Sequence, residues 1–455
     1  MKGLYLQEII DAVAGKYVDP FENILVHNVN TDSRKIQSGD LYIALEGENF
    51  DGHDFVEAAF LNGAVAAILS KPVDFDGNHP VILVENTLNA LQQLASFYRD
   101  KLAKPVIAVT GSVGKTSTKD MIASILSSKF DVHKTLANYN NHIGLPLTLL
   151  ALEENHDVVV VEMGMRGLGE ISELTHIAKP DIALITNIGL SHIERLGTQE
   201  NILKAKLEIL EGIKVGGLSI INMNDPLLAE IKNEITSRMV TIGVDVEADY
   251  LATKVTDFGE KGVGFLLVFE GKKYEVLIPA VGKHNVLNAL FGVACGRELG
   301  MSPEEIISGI SNYQSGKMRL DILDLDGIKF INDSYNASPD SMRAGIQVLS
   351  SLASNGRSIA ILGNMFELGH MSKQAHYEVG KMCVDYGIHF SAVIGENAVD
   401  MARGIDNDEK SKVFETHEAI VKYMKKYLEK GDVVLIKGSR GMKMERVLEL
   451  WQAVG

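Results

Sequence analysis

The segment VIAVTGSVGKTSTKDMI, residues 106–122, contains the residue types of a phosphate-binding loop. In such a loop backbone amides surround the phosphate oxygens, a lysine neutralises the phosphates, and a Ser or Thr hydroxyl binds magnesium. The usual spacing G-x-x-x-x-G-K-[ST], counted back from Gly114, Lys115 and Thr116, places Val109 at the first glycine position. A strand-like run precedes the loop and an amphipathic run follows it, which is the context that a phosphate site requires. We predict a nucleotide phosphate site, with a simple helix-initiating glycine turn as the alternative, and the predicted residues are Gly111, Ser112, Val113, Gly114, Lys115, Thr116 and Ser117.

Two further candidates follow predicted parallel strands. Glu162 ends the apolar run DVVVVEM, where a carboxylate is costly to bury without a partner. His192 follows the apolar run DIALITNI. Ligands bind at the carboxyl ends of the strands in open parallel sheets. Glu162 is therefore a candidate metal ligand, with an exposed strand-end glutamate as the alternative, whereas His192 is equally consistent with an ordinary loop residue.

Three polar residues lie within predicted helices. Lys206, in NILKAKLEIL, has the pattern of a solvated helix charge. Asn285 and Asn288, in KHNVLNAL, are three residues apart and therefore lie on one helix face. They could present two amides to one ligand, or serve only as capping or surface residues.

A second polar group lies in the C-terminal third of the chain. Arg319, Asp333, Lys437 and Arg440 flank transitions from strand to loop. Guanidinium and ammonium groups at such positions can bind phosphate or carboxylate. We expect them to face the phosphate loop across a cleft between domains.

The order of predicted elements indicates an α/β protein of three domains. A small α/β domain spans residues 1–84, and a central domain with a parallel sheet and the phosphate loop spans residues 85–313. A C-terminal Rossmann-like domain spans residues 314–455. Within residues 251–281 the pattern predicts an antiparallel ribbon, and Asp326-Gly327 predicts a hairpin turn.

Composition excludes several classes of protein. The formal net charge of −16 argues against a nucleic-acid-binding protein, because an acidic surface repels phosphate backbones. The sequence contains no run long and apolar enough to cross a membrane, and its first residues lack the pattern of a signal peptide. Cys295 and Cys383 lie in apolar helical patterns and are expected to be buried and unreactive. We expect a cytoplasmic monomer.

Seven segments together resemble the Mur ligase family, the ATP-dependent amide-forming enzymes of peptidoglycan precursor synthesis. They are TGSVGKTST, TDSRKIQSGDLYIALEGENFDGHDF, ANYNNHIGLPLTLL, EMGMRGLGEI, NDSYNASPDSM, LGNMFELG and KGSRGMKMERV. The likeness covers essentially the whole chain, and the family's variant phosphate loop accounts for Val109. The resemblance implies that ATP and Mg²⁺ are required and that the substrates are UDP-MurNAc-tripeptide and D-Ala-D-Ala.

The resemblance also implies roles for individual residues. Those implied at the catalytic centre are Lys115, Glu162, His192, Lys206, Arg319 and Asp333. Thr116, Glu162 and His192 would hold magnesium, and Lys206 would be carbamylated to support a second ion. The residues implied at the nucleotide are Asn285, Asn288, Arg319, Asp333 and Asn336. Those implied at the other substrates are Ser33 and Arg34 for uridine diphosphate, Asn138 and Asn141 for the muramoyl-peptide arm, and Lys437, Ser439 and Arg440 for the carboxylate of D-Ala-D-Ala.

Three alternatives remain at this stage. One is the related ligase that adds the third amino acid, although no DNPR-like motif is present. Another is a folylpolyglutamate synthetase, although about 105 residues precede the phosphate-loop strand, enough for a uridine-binding domain. The third is a regulatory ATP-binding protein without ligase activity.

Overall fold

The computed structural model describes residues 3–17, 22–75, 79–354 and 356–453. Three main β-sheets follow one another along the chain, and helices pack against them. The α/β class that the sequence predicts is therefore confirmed. No helix in these ranges has the length and apolar character needed to cross a membrane.

The N-terminal sheet has five strands in the order β2-β9-β8-β5-β4. Strands β4, β5, β8 and β9 run parallel, and β2 pairs antiparallel with β9. The elements of this region are β1 (Leu4–Tyr5), α1 (Leu6–Val13), β2 (Lys16–Tyr17), β3 (Leu25–Val26), β4 (Asn28–Asn30), β5 (Asp40–Ile43), β6 (Glu46–Gly47), β7 (Phe50–Asp51), α2 (Val56–Leu61), β8 (Ala66–Leu69) and β9 (Val81–Leu83).

The central sheet has nine strands in the order β11-β12-β10-β13-β14-β15-β16-β17-β18. Neighbouring strands from β11 to β16 are parallel, and β16, β17 and β18 pair antiparallel. The elements are α3 (Thr87–Leu102), β10 (Val106–Thr110), α4 (Lys115–Leu126), β11 (Val132–Lys134), α5 (Gly144–Leu150), β12 (Val158–Glu162), α6 (Glu170–Ala178), β13 (Ile182–Ile185), α7 (Ile193–Leu196), α8 (Gln199–Leu207), β14 (Leu218–Asn222), α9 (Pro226–Ile231), β15 (Arg238–Val244), β16 (Tyr250–Asp257), β17 (Val263–Phe269), β18 (Lys272–Ile278), α10 (Asn285–Glu298) and α11 (Pro303–Ser311).

The predicted antiparallel ribbon is confirmed, and it continues the central sheet through β16. Strands β11 and β15 were not predicted. Strand β11 has only three residues, all partly exposed, and β15 is buried only near its carboxyl end. Neither strand therefore carries the continuous apolar run that identifies a buried parallel strand.

The C-terminal sheet has six strands in the order β19-β20-β24-β21-β22-β23. Strands β19 and β20 form the predicted hairpin, in which Asp326 and Gly327 have φ values of 58° and 81°. The other neighbouring strands are parallel. The elements are β19 (Asp321–Leu325), β20 (Ile328–Asp333), α12 (Pro339–Leu352), β21 (Ser358–Leu362), α13 (Ser372–Asp385), β22 (Phe390–Ile394), α14 (Ala398–Ile405), β23 (Ser411–Phe414), α15 (His417–Tyr427), β24 (Val433–Lys437) and α16 (Arg446–Ala453).

The sheets change close to the predicted domain boundaries. The chain passes from the first sheet to the second between residues 84 and 105, and from the second to the third between 279 and 320. Helix α3 contacts both α1 of the N-terminal region and α5 of the central region. This helix is therefore shared between the first two regions, and the boundaries at residues 84 and 313 both stay predictions.

Helix α4 is held in place by α10 and α11. At Gly309 of α11 an added Cβ would lie 2.4 Å from the Cα of Ile125 in α4. The hydroxyl of Ser124 donates a hydrogen bond to the Gly309 carbonyl at 2.9 Å. Close packing at Gly309 therefore sets the position of the helix that begins with Lys115.

Gly309→Ala tests this packing. The added methyl group would push α11 away from α4, and overpacking of this kind costs about 1–3 kcal/mol. We expect a lower midpoint of thermal unfolding by calorimetry. Ser311→Ala on the exposed side of the same helix is the control and should change stability by less than about 0.5 kcal/mol. An unchanged midpoint for Gly309→Ala would contradict the packing described here.

Candidate functional site

The loop between β10 and α4 has a backbone that only glycine adopts easily. Gly111 and Gly114 have φ values of 145° and 85°. A Cβ added to Gly111 would lie 1.9 Å from the hydroxyl oxygen of Thr186. Gly114 directly precedes α4, so the free backbone amides at the start of this helix border the loop. The loop has the conformation and position of an anion-binding site.

The end of β13 anchors this loop. The Thr186 hydroxyl and the Asn187 side-chain amide both donate to the Val113 carbonyl, at 2.7 and 2.9 Å. In return, the Val113 amide donates to Asn187 Oδ1 at 3.0 Å. By contrast, the buried hydroxyl of Ser112 has no hydrogen-bond partner within the described ranges. A buried hydroxyl without a partner is costly, so Ser112 fits a loop that receives a polar ligand.

Lys115 lies at the start of α4 with its ammonium turned back over the loop. Its Nζ donates to the Gly111 carbonyl at 2.8 Å. Burial lowers the pKa of this ammonium, and the nearby Glu162 carboxylate opposes that shift. Lys115 is thus a partly buried cation directly at the predicted phosphate site.

Thr116 and Glu162 form the centre of a polar network. The Thr116 hydroxyl donates to Glu162 Oε2 at 2.7 Å and accepts from Arg319 Nη2 at 2.9 Å. The other carboxylate oxygen of Glu162 accepts from Asn140 Nδ2 at 2.8 Å. Glu162 is only 3% exposed. The alternative of an exposed strand-end glutamate is therefore wrong.

His192 lies beside this network but has a different partner. Its Nδ1 is 2.5 Å from Glu367 Oε2 of the C-terminal region. The hydrogen bond from His192 holds the pKa of the Glu367 carboxyl below its usual value. The structure thus links Thr116 directly to Glu162, whereas the predicted metal-site residue His192 is paired with a carboxylate from another region.

Lys206 is buried, in contrast to the solvated position expected from its helical pattern. Its side chain is 1% exposed. Burial lowers the pKa of its ammonium well below the usual value, and the charge of Lys115 lowers it further. The pattern was misleading because α8 turns this side chain into the protein, a tertiary effect that helix periodicity does not encode.

Asn285 and Asn288 lie on one face at the start of α10, as predicted. Asn285 Nδ2 donates to the Val281 carbonyl at 2.9 Å, and Asn288 Nδ2 donates to Asn285 Oδ1 at 3.0 Å. The hydroxyl of Thr118 donates to Asn288 Oδ1 at 2.8 Å. These bonds orient both amides, and each NH₂ group keeps a second hydrogen for another acceptor.

Asp333 and Lys437 form a buried pair on the C-terminal side of the site. Lys437 Nζ lies 2.5 Å from Asp333 Oδ2 and also donates to the Asn336 carbonyl at 3.0 Å. The Lys437 side chain is 2% exposed. These contacts orient Asp333 and Asn336 and occupy two of the three ammonium hydrogens.

Ser439 and Arg440 follow Lys437 at the end of β24. The Ser439 hydroxyl accepts a hydrogen bond from the Phe366 amide at 2.9 Å. Arg440 is half exposed, and its guanidinium pairs with Glu445 at 2.8 Å. Ser439 therefore orders the neighbouring loop, whereas Arg440 can exchange its partner at the surface.

The segment between β11 and α5 carries Asn138 and Asn141. Both are exposed, and Asn141 Oδ1 accepts from the Gly144 amide at the start of α5, at 2.8 Å. Sequence reasoning missed Asn140, the residue between them that contacts Glu162. Its place in the polar run NYNNH, next to a predicted site residue, could have identified it.

Ser33 and Arg34 lie in a short 3₁₀ helix of the N-terminal region, Ser33–Lys35. Ser33 is buried, and its carbonyl accepts from Asn62 Nδ2 at 2.9 Å. The exposed Arg34 pairs with Asp32 at 2.8 Å. The structure does not bring these two residues to the polar network around Glu162.

A cavity of about 900 Å³ collects most of the predicted residues. Its walls come from the central and C-terminal regions. The predicted residues that line it are Ser112, Val113, Gly114, Lys115, Thr116, Ser117, Asn138, Asn141, Glu162, His192, Asn285, Asn288, Arg319, Asp333, Asn336, Lys437, Ser439 and Arg440. Gly111, Lys206, Ser33 and Arg34 are outside this lining set. The cavity combines a glycine loop, several cations and oriented amides, which suits the binding and transfer of phosphate groups.

Sequence reasoning missed several other residues of this cavity. Asn187 and Thr186 hold the glycine loop, and Tyr335 stacks under Arg319, whose Cζ is 4.1 Å from the ring centroid. Thr186 and Asn187 lie at the end of a buried parallel strand, as Glu162 does, so the same sequence pattern could have identified them. Tyr335 contacts a residue sixteen positions away and Glu367 contacts another region of the chain, and local pattern does not reveal such contacts.

Ser112→Ala tests whether the loop receives a nucleotide. If the hydroxyl binds a charged phosphate oxygen, its loss should weaken ATP binding by about 1.5–3 kcal/mol, or roughly tenfold or more in Kd by calorimetry. Stability without nucleotide should not fall, because no bond of the hydroxyl is lost. Ser334→Ala is the control, since this buried hydroxyl donates to Asn332 at 2.6 Å. The control should lose stability and keep its affinity, and unchanged ATP binding by Ser112→Ala would refute the assignment.

Comparison with known proteins gives matches along nearly the whole chain. Three family models match in succession: a Mur ligase family catalytic domain at residues 25–99, a Mur ligase middle domain at 109–296, and a Mur ligase glutamate ligase domain at 318–440. A UDP-N-acetylmuramoyl-tripeptide--D-alanyl-D-alanine ligase of Bacillus subtilis is 42% identical over 450 residues, which cover 98% of this chain and 97% of the relative.

Solved structures show the same relation. A crystal structure of MurF from Acinetobacter baumannii has a TM-score of 0.93 and 33% identity, covering 100% of this chain and 99% of its own. A structure of MurF ligase from Thermotoga maritima in complex with ADP has a TM-score of 0.85 and 29% identity, covering 94% and 97%. The geometry of the glycine loop, the three successive domain matches and these full-length relatives lead to one conclusion: the chain belongs to the Mur ligase family.

Proposed function

We propose that this chain is an ATP-dependent ligase that joins D-Ala-D-Ala to the terminal carboxylate of UDP-MurNAc-tripeptide. The observation that carries the proposal is the cavity in which the glycine loop, Glu162 and the Asp333–Lys437 pair face one another. The names of the full-length relatives favour this acceptor over a single amino acid or glutamate. A purely regulatory ATP-binding protein has no need for the large cavity beyond the phosphate loop.

ATP is proposed to bind with its phosphates at the glycine loop. The Ser112 hydroxyl has no hydrogen-bond partner among the described residues, and the backbone amides at the start of α4 border the same loop. Both can donate hydrogen bonds to phosphate oxygens. Lys115 supplies positive charge. Asn285, Asn288, Arg319, Asp333 and Asn336 lie on the walls where the rest of the nucleotide would extend.

The donor set at Thr116 and Glu162 fits Mg²⁺. Their side-chain oxygens lie 2.7 Å apart, and hydroxyl and carboxylate oxygens are ligands that this hard cation prefers. We propose that Thr116, Glu162 and His192 hold magnesium, which would neutralise charge on the phosphate oxygens. In this chain Asn140 orients the Glu162 carboxylate by a hydrogen bond.

Lys206 is proposed to carry a carbamate that supports a second magnesium ion. A buried ammonium whose pKa is well below its usual value releases its proton readily, and the neutral amine is the form that adds to carbon dioxide. The carbamate is anionic, so it would attract the Lys115 ammonium, whereas a protonated Lys206 repels it.

Incubation with ¹³C-bicarbonate tests the carbamate. We expect a ¹³C NMR carbamate signal that disappears in Lys206→Arg. Lys204→Arg is the matched control, because Lys204 lies on the same helix and is exposed. A signal that survives in Lys206→Arg, or no signal in the wild-type protein, would contradict the proposal.

The proposed reaction has two stages. The γ-phosphate of ATP is transferred to the terminal carboxylate of the tripeptide, and the amine of D-Ala-D-Ala then attacks the acyl carbon and releases phosphate. Lys115 and Arg319 offset negative charge around the transferred group, and the walls of the cavity align the reactants. We propose that Ser33 and Arg34 hold the uridine diphosphate end, Asn138 and Asn141 the peptide arm, and Lys437, Ser439 and Arg440 the acceptor carboxylate.

Among the acceptor residues, Arg440 is the one whose charge is most available. Lys437 is tied to Asp333, and Ser439 to the Phe366 amide. Closure of the C-terminal domain on the central domain would bring Asp333 and its neighbours to the nucleotide, as a lid does in many enzymes. The monomeric state and the cytoplasmic location stay predictions.

Phosphate release with product mass analysis tests the function. With ATP and magnesium present, we expect release only when UDP-MurNAc-tripeptide and D-Ala-D-Ala are both added. The product should be heavier than the sugar peptide by one dipeptide less water. Glu162→Gln should lower kcat strongly, since it removes the negative charge proposed to hold magnesium. Glu378→Gln is its control, because Glu378 pairs with Lys381 outside the cavity.

Two outcomes would contradict the assignment. Phosphate release without the sugar peptide would favour the regulatory reading. Addition of a single amino acid would favour a different acceptor specificity on the same fold.

A further inference from the structure

The central and C-terminal regions meet at one edge of the cavity. His192 lies just before α7 and Glu367 between β21 and α13, and His192 Nδ1 is 2.5 Å from Glu367 Oε2. The Glu194 amide also donates to the Glu367 carbonyl at 3.3 Å. A Cβ added to Gly369 would lie 3.2 Å from the Cβ of Glu194. The two regions therefore touch through both side chains and backbone, and there is little free space between Gly369 and Glu194.

Both partners have an unfavourable backbone conformation. His192 has φ of 66° and Glu367 has φ of 62°. Side chains with a Cβ rarely adopt this left-handed region, which glycine and asparagine tolerate better. A glycine would make either turn with less strain. Strained backbone of this kind is frequent at functional sites, and both residues keep a side chain where glycine would cost less.

The pair also determines which imidazole nitrogen remains available. Because Nδ1 lies 2.5 Å from the Glu367 carboxylate, Nε2 is the nitrogen left for another partner. Both side chains line the cavity, where the Glu367 side chain is 44% exposed and that of His192 is 21% exposed.

We propose that Glu367 is a positioning residue that orients His192 and completes the site only when the C-terminal domain contacts the central domain. A carboxylate behind a histidine is a common means of fixing the ring and its tautomer. Here the carboxylate comes from a different domain, so the His192 ring is oriented only while the two domains are in contact. This inference rests on the proposed ligase function.

The kinetic test uses Glu367→Gln and Glu367→Gly, each alone and combined with His192→Asn. Gln keeps the shape of the side chain, and Gly removes it while relieving the backbone. In the wild-type background each should lower kcat by about 10- to 100-fold, with a smaller change in KM. In the His192→Asn background the further loss should be below about twofold, because Glu367 acts through the imidazole.

Glu260→Gln is the matched control. Glu260 pairs with Lys329, so this variant also removes an ion pair between the central and C-terminal regions, but outside the cavity. It should leave kcat unchanged. An equal loss from the Glu367 variants in both backgrounds, or no loss in either, would overturn the inference.

A disulfide supplies a readout that needs no turnover. Glu194→Cys with Gly369→Cys places two Cβ atoms near the separation that a disulfide needs. The native Cys295 and Cys383 are buried, so they should not compete. The bond should form more slowly when Glu367→Gly is added, because the domains are no longer held together, and equal rates would contradict the proposal.

Failure of this inference can be told apart from failure of the proposed function. If the wild-type protein makes no amide product, the function is wrong, and the disulfide rates still decide whether Glu367 holds the contact. If the wild type is active and the Glu367 variants are equally active, only the positioning role is wrong.

Discussion

The close approach of Gly111 to Thr186 is the constraint on which the site depends. There is no room for a side chain at Gly111, because a Cβ would lie 1.9 Å from the Thr186 hydroxyl. The same hydroxyl bonds to the Val113 carbonyl and holds the loop against the end of β13. Thr116 at the start of α4 is thereby brought within 2.7 Å of Glu162 at the end of β12. Three neighbouring parallel strands thus supply the loop, its anchor and the carboxylate.

Charge around this loop is balanced across domains. On the central side, burial lowers the pKa of both Lys115 and Lys206, and the charge of Lys115 lowers that of Lys206 further. The Glu162 carboxylate partly offsets the shift at Lys115. The C-terminal side contributes Arg319 at Thr116 and the Asp333–Lys437 pair. Such a site favours an anionic ligand, because the negative charge of a phosphate would balance cations that the protein's own carboxylates do not fully neutralise. Strained backbone at His192 and Glu367 fits the same view, since both face this cavity.

Sequence reasoning identified the parts of the site that depend on local pattern. The phosphate loop, the strand ending at Glu162 and the Asp326-Gly327 hairpin follow from residues close together in the chain. Lys206 was read as a solvated charge because periodicity does not show which way α8 faces. The pairing of Lys437 with Asp333, and of His192 with Glu367, joins residues that are distant in sequence. Such contacts depend on tertiary packing, so the family resemblance supplied Asp333, Lys437 and His192 but neither the pairing of the first two nor Glu367.

The most direct test is a crystal structure with a non-hydrolysable ATP analogue and UDP-MurNAc-tripeptide. We expect the β and γ phosphates to lie against the amides of residues 111–116 and the Ser112 hydroxyl. The peptide carboxylate should enter the cavity between Glu162 and the Asp333–Lys437 pair. Phosphates bound elsewhere, or a sugar peptide whose carboxylate lies outside this cavity, would refute this arrangement.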